Sequence, residues 1–283
     1  MQYNTAKQPT AEALFEELKN DSFAWNYYQE MIKKPHVLGF MVWGSRATGF
    51  GAPKCDWDAL VYVTEEYYDQ LALKDTLWWI SDESVEPKRL VIDFSPISDA
   101  WFRQQIDSPL DIDHSPYADG ITLFDKTGKL EEWRQKLARY PEEEHEDRLK
   151  NKYVQFINAF GEAMIDDRRL ELDETKFRPN RQVNLYRAVL AAVHLWFAIE
   201  KSWAPPFKWW SHHALQRGMN AEEFQLFSEI IESPNLENVR KLIDHLKQKI
   251  LDQGLDFPND YVTTFLETIH TNGRPKQIRH TYL

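Results

Sequence analysis

The stretch WGSRATGFGAPKCDWDALVYV, residues 43–63, sets a glycine and a serine behind one apolar run and two aspartates at the head of the next. The run before it, Val37–Trp43, is bounded by Pro35 and Gly44 and reads as a buried strand, with Ala59–Val63 as its neighbour. Carboxylates two apart in a strand point to one face, so Asp56 and Asp58 would stand side by side. Two like charges so placed are unfavourable unless something positive lies between them. At the other end of the stretch, Gly44 lets backbone N–H groups approach a phosphate, and the Ser45 hydroxyl can bond one.

A third acid completes the pattern. Asp93 sits in LVIDFSPI, an otherwise apolar strand in which Val91, Ile92 and Phe94 read as buried. A bare charge there costs several kcal/mol unless it is paired. If that strand lies near the Asp56–Asp58 strand, three carboxylates converge. Hard oxygen ligands of that kind select Mg²⁺, which takes one or two carboxylates plus substrate phosphates. Two such ions can clamp the attacking and leaving oxygens of a phosphoryl displacement. The competing structural reading makes Asp56 a turn residue, Asp58 a cap, and Asp93 a strand residue paired with Lys88 or Arg89.

Outward from this stretch, the first half alternates helices and strands. Thr10–Lys34 has helical spacing with Thr10 as N-cap, Thr64 caps a short helix, and Leu77–Ile80 and Leu90–Ile97 read as strands. Asp99 opens a helix, Ile121–Phe124 is a last strand ending in the turn 125–128, and a helix follows over Leu130–Leu137. Beyond YPEEEHED (140–147) only helical patterns occur, over 145–169, 180–202, 209–217, 220–232, 236–253 and 258–271, punctuated by Pro179, Pro205-Pro206, Pro234 and Gly254. The expected class is α+β: a mixed β-sheet with flanking helices over residues 1–141, then an all-α bundle over 142–283.

Composition narrows the function classes. The 283 residues are 42% hydrophobic and carry a net charge of −11, which argues against general nucleic-acid binding and suits a cationic small molecule or simple solubility. No apolar run such as Ala188–Val193 is long enough to span a bilayer, and the N-terminus lacks a basic region followed by an apolar one. Cys55 is the only cysteine, as expected of a cytoplasmic chain without membrane association.

Gly44-Ser45, Asp56-x-Asp58 and then Asp93 on a later strand resemble the nucleotidyltransferase fold shared by DNA polymerase beta and the aminoglycoside and other antibiotic nucleotidyltransferases, over roughly residues 36–98. The stretch 118–128 is similar to the strand and turn that close the sheet in aminoglycoside-type members. More loosely, 187–190 and 203–210 resemble the bundle appended in that branch. The resemblance implies that Asp56 and Asp58 hold Mg²⁺, one ion or two, bridging the triphosphate of ATP or another nucleotide. It implies that Ser45 and the Gly44 backbone bind the β- and γ-phosphates. Asp93 would take a metal or act as general base on the acceptor hydroxyl, whose oxygen attacks the α-phosphorus as pyrophosphate leaves. The acceptor implied is a small molecule, cationic in the aminoglycoside case, with antibiotic resistance as the associated role; some members of the branch form homodimers. The alternatives are a protein or RNA acceptor, as in toxin–antitoxin nucleotidyltransferases, and a nucleotide-binding module without turnover.

Other residues have weaker claims. Arg46 and Lys54 flank the turn and could reach a phosphate. Lys208, in PPFKWW, could neutralise one while Trp209 or Trp210 stacks a base, or the tryptophans could be core. Arg178, Arg181 and Arg187 recur with spacing that allows a basic patch, and Arg187 with His194 share one helix face. The run Glu142–Glu144 suits a helix start. His212 and His213 are adjacent, so on a helix they diverge and form no metal pair.

Overall fold

The computed structural model describes residues 7–50, 55–72, 79–84 and 89–257. By backbone contacts the chain divides into two compact units. One holds the described residues up to Tyr140 together with Trp203–Gly218; the other holds Pro141–Ser202 and the described residues from Met219 onward. The sequence boundary at 141/142 therefore needs one amendment, because 203–218 returns to the first unit.

The first unit opens with α1 (Ala11–Asn20) and α2 (Ser22–Lys33). Thr10 caps α1, its hydroxyl accepting from the Ala13 N–H at 3.2 Å. The single helix expected over 10–34 is broken at Asp21, which is extended and caps α2 by accepting from the Ala24 N–H at 3.2 Å. Then come β1 (Val37–Trp43), α3 (Gly44–Ala47), β2 (Trp57–Val63), α4 (Glu65–Ala72), β3 (Trp79–Asp82), β4 (Arg89–Ile97), α5 (Asp99–Ile106), α6 (Ser115–Asp119), β5 (Ile121–Asp125) and α7 (Lys129–Ala138). The sheet order is β3-β4-β2-β1-β5. Among the described residues only β2 and β4 run parallel; the other three pairings are antiparallel, so the sheet is mixed.

Strand alternation gives this sheet two different faces. Phe40, Val42, Ala59, Val61 and Val63 pack with Leu14, Leu18, Tyr28 and Met31 of α1 and α2 in one buried cluster. Met41, Leu60, Tyr62 and Ile97 pack with Phe102, Tyr117, Leu130 and Leu137 on the other side.

The second unit is helical, with α8 (His145–Arg168), α9 (Glu174–Ile199), α11 (Ala221–Glu232) and α12 (Leu236–Asp252); α10 (Trp210–Gln216) belongs to the first. Buried residues on α12 fall at Val239, Leu242, Ile243, Leu246 and Ile250, the spacing of one helix face. Pro179 does not punctuate as expected. The helix begins upstream, where Asp173 accepts from the Lys176 N–H at 3.1 Å, and Pro179 is carried inside it at the loss of one backbone donor. By length and composition alone the whole of α9 passes for a membrane span, though the apolar run 188–193 within it is short and 61% of its most apolar window is buried in the protein. The helix expected over 258–271 lies outside the described residues.

Candidate functional site

The opening turn is built around a close backbone approach. Gly44 follows β1 with φ +72°, and a Cβ added there would lie 2.1 Å from Asp58 Oδ2. Only glycine tolerates both the left-handed backbone and the neighbour. Asp58 stands at the head of β2, paired in register with Trp43 on one side and with Asp93 of β4 on the other. The parallel pairing of β2 and β4 thus brings together two acids that lie 35 residues apart in the chain. Asp56 sits in the loop just before β2, half-buried like Asp58 and Asp93.

The electrostatics express this convergence. Burial pushes the Asp58 carboxyl up to about 7, and repulsion from Asp56 and then Asp93 adds to it; Lys208 and the Ser45 backbone N–H pull the other way. The Ser45 N–H is turned toward Asp58. Lys208 is exposed, its Nζ 4.4 Å from the Trp209 ring centroid. Trp209 in turn meets Trp43 edge-on at 6.2 Å, which ties the returning segment 203–218 to the end of β1.

Arg46 departs from its expected role. It is buried, 4% exposed, and its guanidinium is engaged by protein groups. Its Nε donates to the Asp56 carbonyl at 3.0 Å, its two terminal nitrogens donate to Glu17 and to the Cys55 carbonyl, and the guanidinium lies 4.1 Å from the Trp57 ring centroid. These contacts pin the Asp56 loop to α1 and α3, so Arg46 is a positioning residue for the acid. Lys54 lies outside the described residues. The arginine patch on α9 is also tied up in part: Arg178 pairs with Glu174 and Arg181 with Asp167.

One cluster escaped sequence reading. His213 Nδ1 is 3.2 Å from Asp119 Oδ2, and Arg217 lies 3.5 Å from the other carboxylate oxygen. Burial, with Arg217 and His212 nearby, lowers the His213 imidazole to about 4, while burial raises the Asp119 carboxyl against the pull of Arg217. His213 lines a narrow cavity with Trp43, Gly44, Ser115, Asp119 and Trp209. Trp43 Nε1, Ser115 Oγ and His213 Nε2 are buried with no hydrogen-bond partner among the described residues. No spacing could have announced this pair, because Asp119 and His213 are separated by 94 positions. His212 points elsewhere and stacks on Phe50 at 4.3 Å, as adjacent helical residues must diverge.

The donor set tests whether a divalent cation belongs here. Three half-buried carboxylates, of which Asp56 and Asp93 both act to keep the proton on Asp58, form a hard-oxygen arrangement. Among the described residues no three His, Cys, Asp or Glu side chains form a ready-made metal cage. A cation at these acids would need ligands beyond the side chains themselves, as Mg²⁺ sites completed by substrate phosphates do.

Residues 115–210, from the start of α6 to the start of α10, match a family described as a domain of unknown function (DUF4037). No curated protein matches the chain in sequence. Among solved structures the chain is similar to a nucleotidyltransferase-like protein from Exiguobacterium sibiricum 255-15, with a TM-score of 0.41 and 11% identity, over 92% of this chain and 82% of that one. A likeness of that size assigns no family.

Proposed function

We propose that the protein is a Mg²⁺-dependent nucleotidyltransferase that moves a nucleoside monophosphate, AMP from ATP in the first instance, to a hydroxyl of a small molecule. The observation that carries this reading is the register pairing of Asp58 with Asp93, beside Asp56 and against the Gly44-Ser45 turn. Asp56 and Asp58 would hold the cation, which supplies charge neutralisation to the triphosphate. The Ser45 hydroxyl and Lys208 would contact phosphate oxygens, with Trp209 offering a ring beside Lys208. Asp93 would receive the proton of the acceptor hydroxyl as its oxygen bonds to the α-phosphorus and the bond to pyrophosphate breaks. A reaction of this kind depends on positioning and charge more than on covalent help. The net charge of −11 favours a cationic small molecule, of which aminoglycosides are one class, over an RNA end.

Calorimetric titration of ATP into the protein, with and without Mg²⁺, tests the reading. Binding that needs the metal and disappears in Asp56→Ala/Asp58→Ala supports it. Failure of all four nucleoside triphosphates to bind overturns it.

A further inference from the structure

The sheet face that carries Asp58 and Asp93 continues into a cavity. Leu60 follows Asp58 by two residues on β2, and Ser95 follows Asp93 by two on β4, so all four share one face, with about 7 Å between successive pairs. Leu60 and Ser95 are themselves register partners. Both line an open cavity of about 350 Å³, walled further by Tyr68, Trp101, Ile112 and Tyr117. That volume is in the range of small-molecule pockets.

The lining is selective. Among its described residues there is no Lys, Arg or His, and the single carboxylate is Asp113. Asp113 is held by neutral donors. The Ser108 hydroxyl donates to it, and the Gln105 amide, oriented to satisfy both groups, lies 2.8 Å and 3.1 Å from its two oxygens. Its negative charge is thus bonded but not neutralised by these groups. At the rim, Trp101 is 37% and Ile112 49% exposed, so apolar surface is left bare around the opening. Aromatic faces with one carboxylate favour an ammonium on an apolar body. A phosphate or carboxylate ligand would meet Asp113 and no cation.

We propose that this cavity binds an organic amine with an aromatic or apolar body, the ammonium at Asp113 and the body against Trp101 and Tyr117. Resting on the nucleotidyl-transfer reading, the cavity is where a hydroxyl acceptor of that class is held beside the Asp58–Asp93 pair.

The test uses three probes of one shape on the full chain: 2-phenylethylamine, 2-phenylethanol and phenylacetate, titrated by calorimetry. The amine is expected to bind about tenfold more tightly than the alcohol, the order a charge-assisted hydrogen bond provides, and phenylacetate not measurably. Asp113→Asn, which keeps the oxygen that Ser108 contacts, should erase the preference for the amine. Trp101→Ala, at a partly exposed position, should weaken amine and alcohol alike. Equal binding of phenylacetate, an unchanged amine preference in Asp113→Asn, or no binding by any probe overturns the proposal. Amine binding without Mg²⁺-dependent ATP binding would overturn the transfer reading and leave the cavity's ligand class standing.

Discussion

The two faces of the sheet are built from the same strands and serve opposite ends. On one face, Phe40, Val42, Ala59, Val61 and Val63 are sealed beneath α1 and α2 with nearly every position buried. On the other, the apolar alternation of Met41, Leu60 and Tyr62 gives way at the strand heads to Asp58 and Asp93, and a cavity opens beside Leu60. A period of two lets neighbouring residues answer to unrelated constraints. One face can be packed for stability while the other carries repulsive charge and open space, which stability alone would remove.

The largest effect should come from the sealed face. Phe40 is 1% exposed and meets Tyr28 edge-on at 5.1 Å. Phe40→Ala should cost about 3–5 kcal/mol, against about 2 kcal/mol for Leu60→Ala, whose side chain already borders a cavity. Urea unfolding of the two variants measures this, and equal losses would break the contrast between the faces. Next comes the glycine at the junction. Gly44→Ala drives a methyl into the Asp58 carboxylate and should cost about 2–3 kcal/mol, whereas Gly128→Ala, with φ +75° and open space around it, should cost about 1 kcal/mol.

The rim of the open face should show in the pH dependence. His213 keeps its proton off down to about pH 4 in the folded protein, while an unfolded histidine takes one up near 6.5. The unfolded state therefore binds more protons between those values, and stability falls as the pH drops through that window. Asp119 acts in the opposite sense: burial raises its carboxyl, so its contribution falls as the pH rises. His213→Gln removes only the first effect, and its thermal midpoint should change less between pH 6.5 and 4 than that of the parent. The slope removed is at most about 1.4 kcal/mol per pH unit.

What could be read in the sequence follows the same division. The strands, the acids at their heads and the Gly44-Ser45 turn were legible because alternation and a lone acid in an apolar run are local signals. Arg46 was not, since a basic residue beside a phosphate-loop pattern has the same sequence whether it faces solvent or bonds Glu17 and two carbonyls. Nor was the return of 203–218: Pro205-Pro206 marks a break but not where the next helix docks. The Asp119–His213 pair and the Asp113 cavity depend on that docking and on the placement of α5 and α6. Both belong to tertiary structure alone.

The smallest effect bears most directly on function. Asp58 keeps a proton up to about pH 7 in the folded protein, chiefly through burial and then repulsion from Asp56 and Asp93, whereas an unfolded aspartate ionises near 3.9. Its contribution to stability is therefore fully present below the unfolded value and lost as the pH rises toward 7. Asparagine loses nothing over that window. Asp58→Asn should thus be more stable than the parent at pH 8 by about 1–2 kcal/mol, the full shift being discounted for partial solvent exposure, and nearly equal to it at pH 4. Thermal unfolding at the two pH values reads the difference, and a variant less stable at pH 8 would mean that Asp58 is there for the fold. A gain in stability would set Asp58 apart from every residue of the sealed face, as a side chain the fold carries at a cost.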